Sequence, residues 1–229
     1  IFRKIMLETA KKPLVLEQCL VPGRVIDLQG LVAGLDNCQK SLNDYLDTKR
    51  NAFPRFFFIS DDELLSILGS SDPKCVQEHI IKMFDNVDKL RMLPDHLNRM
   101  SITAMVSTEG ELLEFKNIQY AEGKVEMWMS TVLAEMRVTN RFLTKKAIFD
   151  YGKVRRPRTE WILDFQGMIC LGADNVWWTA EVENVFVKIR QGQKRAMKDY
   201  LLQMNRQLDE LVVKVRSDLS KNDRKKFNA

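Results

Sequence analysis

The feature that most constrains this chain is a repeated three-and-four spacing of apolar residues. Leu28, Leu31, Leu35, Cys38, Leu42 and Tyr45 follow it, and so do Met197, Leu201, Met204, Leu208, Leu211 and Val215. A period of about 3.5 residues places such positions along one side of a helix, where they pack against another helix. Gly30 and Gly34 each weaken the first helix by about 1 kcal/mol relative to alanine, so it depends on neighbours. A bundle is therefore expected rather than a freestanding coiled coil.

Between these seams lies an aromatic junction, Asn51 to Gly69. Pro54 has no N–H and disfavours helix at Phe53, so the long helix must stop there. Phe53, Phe56, Phe57 and Phe58 form a cluster expected to be a buried plug. Arg55 to Ile59 reads as extended, since consecutive aromatics and Ile favour a pleated backbone. Ser60 and Glu63 match a capping box for a new helix. Asp61 and Asp62 place negative charge at its positive end, and Gly69 is expected to close it in a left-handed conformation.

The remaining pattern is mostly helical. Ile1 to Lys11 reads as a helix. Asp72-Pro73 caps a segment burying Val76, Ile80, Met83, Phe84 and Val87. Asp95 to Arg99 reads as a loop. Met100 to Lys116 alternates instead, with a turn at Thr108-Glu109-Gly110-Glu111, which marks a β-hairpin. A two-stranded hairpin is marginal alone, so it should pack on its surroundings. Helices are expected from Val125 to about Phe149, from a Thr159 cap to Gly172, and from an Asp174 cap to Gly192. In the Trp177-Trp178 pair, one ring should enter the core and the other face outward, because successive helical positions differ by about 100°. The fold expected is mainly all-α: elongated antiparallel helical bundles with one small inserted β-hairpin. The expected domains are 1–99, 100–117 and 118–229, and both ends are expected to continue into a longer chain.

The chemistry is sparse. No phosphate-cradling Gly-x-x-x-x-Gly-Lys-Ser/Thr run, no Gly-x-Ser-x-Gly and no His-Glu-x-x-His occurs. The 4 cysteines and 2 histidines are scattered, which argues against a local zinc module. Capping explains Asp61-Asp62-Glu63 more simply than metal binding does. A net charge of +5 permits an acidic partner without demanding one. The basic runs Lys153 to Arg158 and Lys221 to Lys226 lack interleaved aromatics, so no nucleic acid partner is expected. No apolar run approaches the roughly 18 residues that span a bilayer, so no membrane partner is expected either. The expectation from the residues alone is a non-catalytic helical fragment. A generic helical scaffold or adaptor fits the same pattern, although a spectrin-like array would show a repeat of constant length, and none is visible.

Phe53-Pro-Arg-Phe-Phe-Phe-Ile-Ser-Asp-Asp-Glu-Leu-Leu-Ser-Ile-Leu-Gly69 closely resembles the Phe-Pro-Arg-Phe-Tyr/Phe-Phe…Leu-Leu-x-Ile signature of dynein heavy chains. Further matches follow in order. Lys49-Arg50 precedes the signature, and Lys82-Met83-Phe84 follows it. Thr103 to Glu111 resembles the family's strand-turn-strand, and Val125-Glu-Met-Trp128 resembles a helix start. Gln166 to Trp178 resembles another family segment, with Asn175 where Gln is usual. Leu211 to Lys226 is similar to axonemal heavy chains. The resemblance covers essentially the whole chain.

It implies the linker that precedes the AAA+ ring, a mechanical lever with no catalytic, cofactor or metal site of its own. ATP and Mg would belong to the ring of the parent protein, a minus-end-directed microtubule motor. The implied partners are that ring within the same heavy chain, with microtubules and dynein intermediate and light chains engaged only through the parent. The implied location is the cytoskeleton of the cilium or flagellum axoneme. Phe53, Pro54, Phe56, Phe57, Phe58, Ser60 and Glu63 would form a structural junction. Thr108, Glu109, Gly110, Arg155, Arg156 and Trp178 are candidate contacts to the ring.

Overall fold

The computed structural model describes residues 1–154 and 157–228 and divides the chain into two compact units, Ile1–Leu65 and Ser66–Ala229.

The first unit contains α1 (Phe2–Lys11), α2 (Val15–Cys19) and α3 (Arg24–Ala52). Gly23 precedes α3 at φ 82°, a left-handed conformation that glycine adopts without a Cβ clash. The predicted seam of α3 is largely uncovered: Leu28, Leu35, Leu42 and Tyr45 are exposed, and Leu46 is buried instead.

At the junction the chain departs from the extended reading. Pro54–Phe58 is a 3-10 helix. Phe53 absorbs the pre-proline restriction with φ −135° and ψ 93°, and Pro54 then starts the tight turn, where its missing N–H costs nothing. The 3-10 period separates the aromatics. Phe53 and Phe56 point inward and meet edge to face at 4.9 Å, whereas Phe57 and Phe58 are 60% and 66% exposed. The plug is therefore Phe53 and Phe56 with Ile59 and Leu64, and the expectation that Phe57 and Phe58 belong to it is corrected. The next helix, α4 (Asp61–Gly69), begins with the predicted capping box. Ser60 N donates to Glu63 Oε2 at 3.0 Å, and Glu63 N donates to Ser60 Oγ at 3.4 Å. Gly69 is the last helical residue and is not left-handed.

In the second unit, Asp72 caps a 3-10 helix, Pro73–His79, through Lys74 N at 2.9 Å, and α5 (Ile80–Met83) follows. Val76, Ile80, Met83 and Phe84 are buried as expected, but Val87 opens a strand rather than ending a helix. Among the described residues the sheet is three-stranded and antiparallel: β1 (Val87–Pro94), β2 (Met100–Ser107) and β3 (Leu112–Tyr120), in that order. The β2–β3 pair is the hairpin expected from sequence. β1 is additional, and its charged Asp88, Lys89 and Arg91 obscured the alternation that an edge strand needs to be recognised.

β3 packs on α6 (Val125–Val154), which lies beside α8 (Gly167–Arg190). Between them α7 (Arg158–Asp164) contributes Trp161 and Ile162 to a core with Ala147, Phe165, Ile169, Cys170 and Ala173. α9 (Ala196–Val215) and α10 (Lys221–Asn228) complete the unit. Gly172, expected to end a helix, and Gly152, beyond the expected end near Phe149, both lie inside helices. α8 runs through Gly172 and Asp174 because Phe165-Gln166 supplies the break; Asp174 pairs with Arg158 at 2.5 Å instead of capping. α6 runs through Gly152 because the Trp177 ring lies over its Cα, and Trp177 Nε1 donates to Ile148 O at 2.9 Å.

Three substitutions test this packing in urea denaturation of the intact chain. Phe56→Ala should cost about 3–5 kcal/mol, and Phe57→Ala under about 1 kcal/mol; equal losses would contradict the separation of the aromatics. Gly152→Ala would place a Cβ 2.3 Å from Trp177. It should destabilise by about 1–3 kcal/mol despite alanine's better helix propensity; a gain in stability would show that the ring is not fixed there.

Candidate functional site

Two places concentrate polar groups that hydrophobic packing does not explain. The first is the clamp of α6 on β3. The β2–β3 ladder passes from Ala104–Glu114 to Ile102–Gln119, so three extra residues bulge from β3. Lys116 and Asn117 lie in that bulge, and their N–H groups turn to α6. Lys116 N donates to Thr139 Oγ1 at 3.0 Å, and Asn117 N to Glu135 Oε1 at 3.0 Å. Asn117 Nδ2 reaches Glu135 Oε2 at 3.0 Å, and the Thr139 hydroxyl donates to Glu135 Oε1 at 2.8 Å. Both α6 side chains are buried. Burial raises the Glu135 carboxyl, but the bonds from the Asn117 side chain, Thr139 and the two backbone N–H groups together reverse this and hold it below the usual glutamate range.

The second is the β2–β3 turn, which divides into an exposed tip and an anchored base. Thr108, Glu109 and Gly110 are exposed, with Gly110 at φ 85°. The tip is ordered by Gly110 N donating to Ser107 O at 2.9 Å and by the Thr108 hydroxyl bonding Asn86 Oδ1. Bonds from the Asn86 side chain, then Thr108, keep the Glu109 carboxyl below its ordinary range. At the base, Glu111 reaches the N-terminus of α8, where Gly167 N donates to both carboxylate oxygens at 3.2 Å. That is the helix end at which an anion is favoured. Lys226 of α10 approaches Glu111 Oε1 at 3.2 Å and donates to Phe165 O at 3.0 Å. Gln166 Nε2 donates to Leu112 O at 2.8 Å.

The sheet's other features also hold it rigid. Gln77 exchanges two bonds with the backbone of Leu90 at 2.8 and 2.9 Å, covering part of the β1 edge. In the β1–β2 turn, Asp95 accepts from Leu97 N and Arg99 N at 2.9 Å, and the Arg99 guanidinium lies 4.2 Å from the Tyr120 ring centre.

In the first unit, Arg50 ties the end of α3 to the start of α4. Its Nη2 lies 2.6 Å from Asp61 Oδ1, and the guanidinium sits 5.8 Å from the Phe57 ring centre. Asp61 and Glu63 are thus engaged in an ion pair and a capping box. Among the described residues no group of three or more His, Cys, Asp or Glu could hold a metal ion. No described helix is long and apolar enough to cross a membrane. The described cysteines are all free; burial raises the Cys170 thiol to about 11, which leaves it protonated and a poor nucleophile near neutral pH.

The structure does not bring the sequence-nominated contacts into one cluster. Thr108, Glu109 and Gly110 form the tip, whereas Trp178 is half-exposed on α8, roughly 16 Å along the helix axis from Gly167. Arg155 and Arg156 lie outside the described residues. Sequence reasoning missed Glu111, Gly167 and Lys226, and also Glu135 and Thr139. The last pair had a signal: they continue the stripe of Trp128 and Val132 at helical spacing, so they are two polar residues on a face that must be buried.

Residues 1–147 match the family model described as dynein heavy chain, N-terminal region 2. The chain belongs to the dynein heavy chain family, as the resemblance indicated. It is 58% identical over 228 residues, 100% of its length, to human dynein axonemal heavy chain 10. It is 51% identical over 219 residues, 96% of its length, to the Chlamydomonas reinhardtii dynein-1-alpha heavy chain of the flagellar inner arm I1 complex. It is 36% identical over 229 residues, 99% of its length, to human dynein axonemal heavy chain 9. The chain spans 5% of the length of each of these relatives.

The clamp gives a pH test. A carboxyl held low in the folded state stabilises above its unfolded value, near 4.5, and that stability is lost as pH falls through the lower folded value. Denaturation midpoints measured from about pH 3 to about pH 7 should therefore drop on the acid side, with a shallower drop in Glu135→Gln. At neutral pH that variant should lose about 1–3 kcal/mol. An unchanged acid slope would show that Glu135 does not ionise in the clamp.

Proposed function

We propose that this chain is a non-catalytic mechanical linker of a dynein heavy chain, a lever that carries ATP-driven changes of the AAA+ ring into the power stroke of a minus-end-directed microtubule motor. The observation that carries this reading is similarity along the whole chain to dynein heavy chains. The relatives' names are axonemal, ciliary and flagellar, and this supports a place in an axoneme for the parent of this chain. In this reading ATP and Mg belong to the ring. Microtubules and intermediate or light chains are met through other parts of the parent, and the ring itself is the intramolecular partner.

The physical features agree with a lever. A lever must pass force on rather than dissipate it in bending, which favours helices with a shared core and sheet edges pinned by specific bonds. α6 supplies the core contact and the clamp of β3 at once. The exposed tip Thr108 to Gly110 and half-exposed Trp178 remain the candidate ring contacts, together with Arg155 and Arg156. Reversible docking needs polar contacts whose two arrangements differ little in energy.

An adaptor role is the second reading. It draws on the uncovered seams of α3 and α9, where Leu35 is 69% and Leu208 59% exposed. Both readings face one test: a complete heavy chain labelled at exposed Gln39 and on its ATP-binding ring. The lever predicts that the distance between labels changes between ATP and ADP states as microtubules glide. A constant distance in every nucleotide state of a gliding motor would overturn it in favour of the adaptor.

A further inference from the structure

α10 is held by two different kinds of contact. Arg224 donates to Ser217 O at 3.1 Å and to Val215 O, which ties α10 only to the end of α9, its neighbour in sequence. Phe227 packs against the Trp161 core. Lys226 acts differently, because it crosses to the base of the β2–β3 turn. Its side chain is 14% exposed and that of Glu111 is 21% exposed, so the pair is largely withdrawn from water. Glu111 is shared: the carboxylate that receives Lys226 also accepts the Gly167 N–H at the start of α8. The turn, the α8 terminus and α10 therefore meet on one carboxylate.

We propose that Glu111 and Lys226 form a latch that couples the state of the β2–β3 turn to the docking of α10. Breaking a half-buried pair from either side deprives the other charge of its partner on the facing element, so each side senses the other. When the turn moves, Glu111 leaves both Gly167 and Lys226. Lys226 then keeps Phe165 O and a longer ion pair with Asp223, at 4.0 Å within its own helix, so it no longer ties α10 to the turn. α10 is then retained by Phe227 and by Arg224, a contact that does not restrain it against the sheet. Its release opens the cavity of about 230 Å³ that Lys226 and Phe227 line together with Trp161, Cys170 and Asp174. A signal arriving at the exposed tip thus emerges as movement of the C-terminal helix, without distortion of the helices between them. The latch is a property of this chain's own contacts and does not rest on the lever reading.

Peptide-level amide hydrogen exchange on the intact chain tests it, with Cys170 alkylation as a second readout. Glu111→Gln keeps an acceptor for Gly167 but removes the charge; it should speed exchange in residues 221–228, on the facing helix, about tenfold. Lys226→Met should speed exchange both there and in the turn, and Cys170 should alkylate faster in both variants. The double variant should exceed neither single by more than about twofold, because the two residues make one interaction. Lys198→Met, exposed on α9 and away from the turn, should change nothing. Three results would each overturn the latch: unchanged α10 exchange in Glu111→Gln, a double variant equal to the product of the singles, or α10 amides already unprotected in the unsubstituted chain.

Discussion

Two backbone N–H groups, those of Lys116 and Asn117, decide much of the second unit. They leave the β2–β3 ladder at a bulge and would be orphaned beneath a helix. Thr139 and Glu135 accept them, one turn apart on α6. This fixes both the distance and the rotation of α6 over the sheet, since two bonds to successive backbone groups admit only one register. The apolar contacts of Trp128, Val132 and Met136 could be made at several neighbouring registers; the two polar bonds select among them. Burying a carboxylate is costly in isolation; Asn117 of the bulge gives Glu135 two hydrogen bonds, from its backbone and its side chain, and Thr139 gives a third. The bulge and the glutamate therefore account for each other.

The same logic recurs wherever one element hands the chain to the next. Arg50 spans from α3 to Asp61, Gln77 satisfies the β1 edge at Leu90, and Glu111 receives the first N–H of α8. Each is a polar side chain closing backbone or charge requirements at a break, where a helix or strand cannot satisfy its own groups. The long helices supply area, and these bridges set the angles between them.

This division explains what was legible in the sequence. Helix periodicity depends on neighbours three and four residues away, so α3, α6 and α9 were readable. So were the Ser60–Glu63 box and the Gly110 turn, whose chemistry is local. The inward and outward members of the Phe cluster were not, because a 3-10 turn and a strand distribute consecutive aromatics differently and only the backbone chooses between them. Gly152 and Gly172 read as breaks by propensity, yet both lie inside helices, and at Gly152 the close approach of Trp177 leaves no room for a side chain. β1 was hidden because half of an edge strand's positions face water or carry charge. Glu111 and Lys226 are far apart in sequence and sit in runs of ordinary polar residues, so no local pattern marks their meeting.

The two kinds of contact have different mechanical consequences. Apolar packing in the Trp161 core is dense and many-bodied, and it yields only when several side chains move together. A half-buried ion pair at a helix terminus is single and directional, so it can open while the core stays intact. Segments joined by the first kind behave as one piece, and segments joined by the second can be switched. α6, α7 and α8 share the Trp161 core, whereas a single ion pair, Lys226 with Glu111, bonds α10 to the β2–β3 turn. The second unit combines the two: a shared core that moves as one piece, and polar closures at its breaks that can open singly.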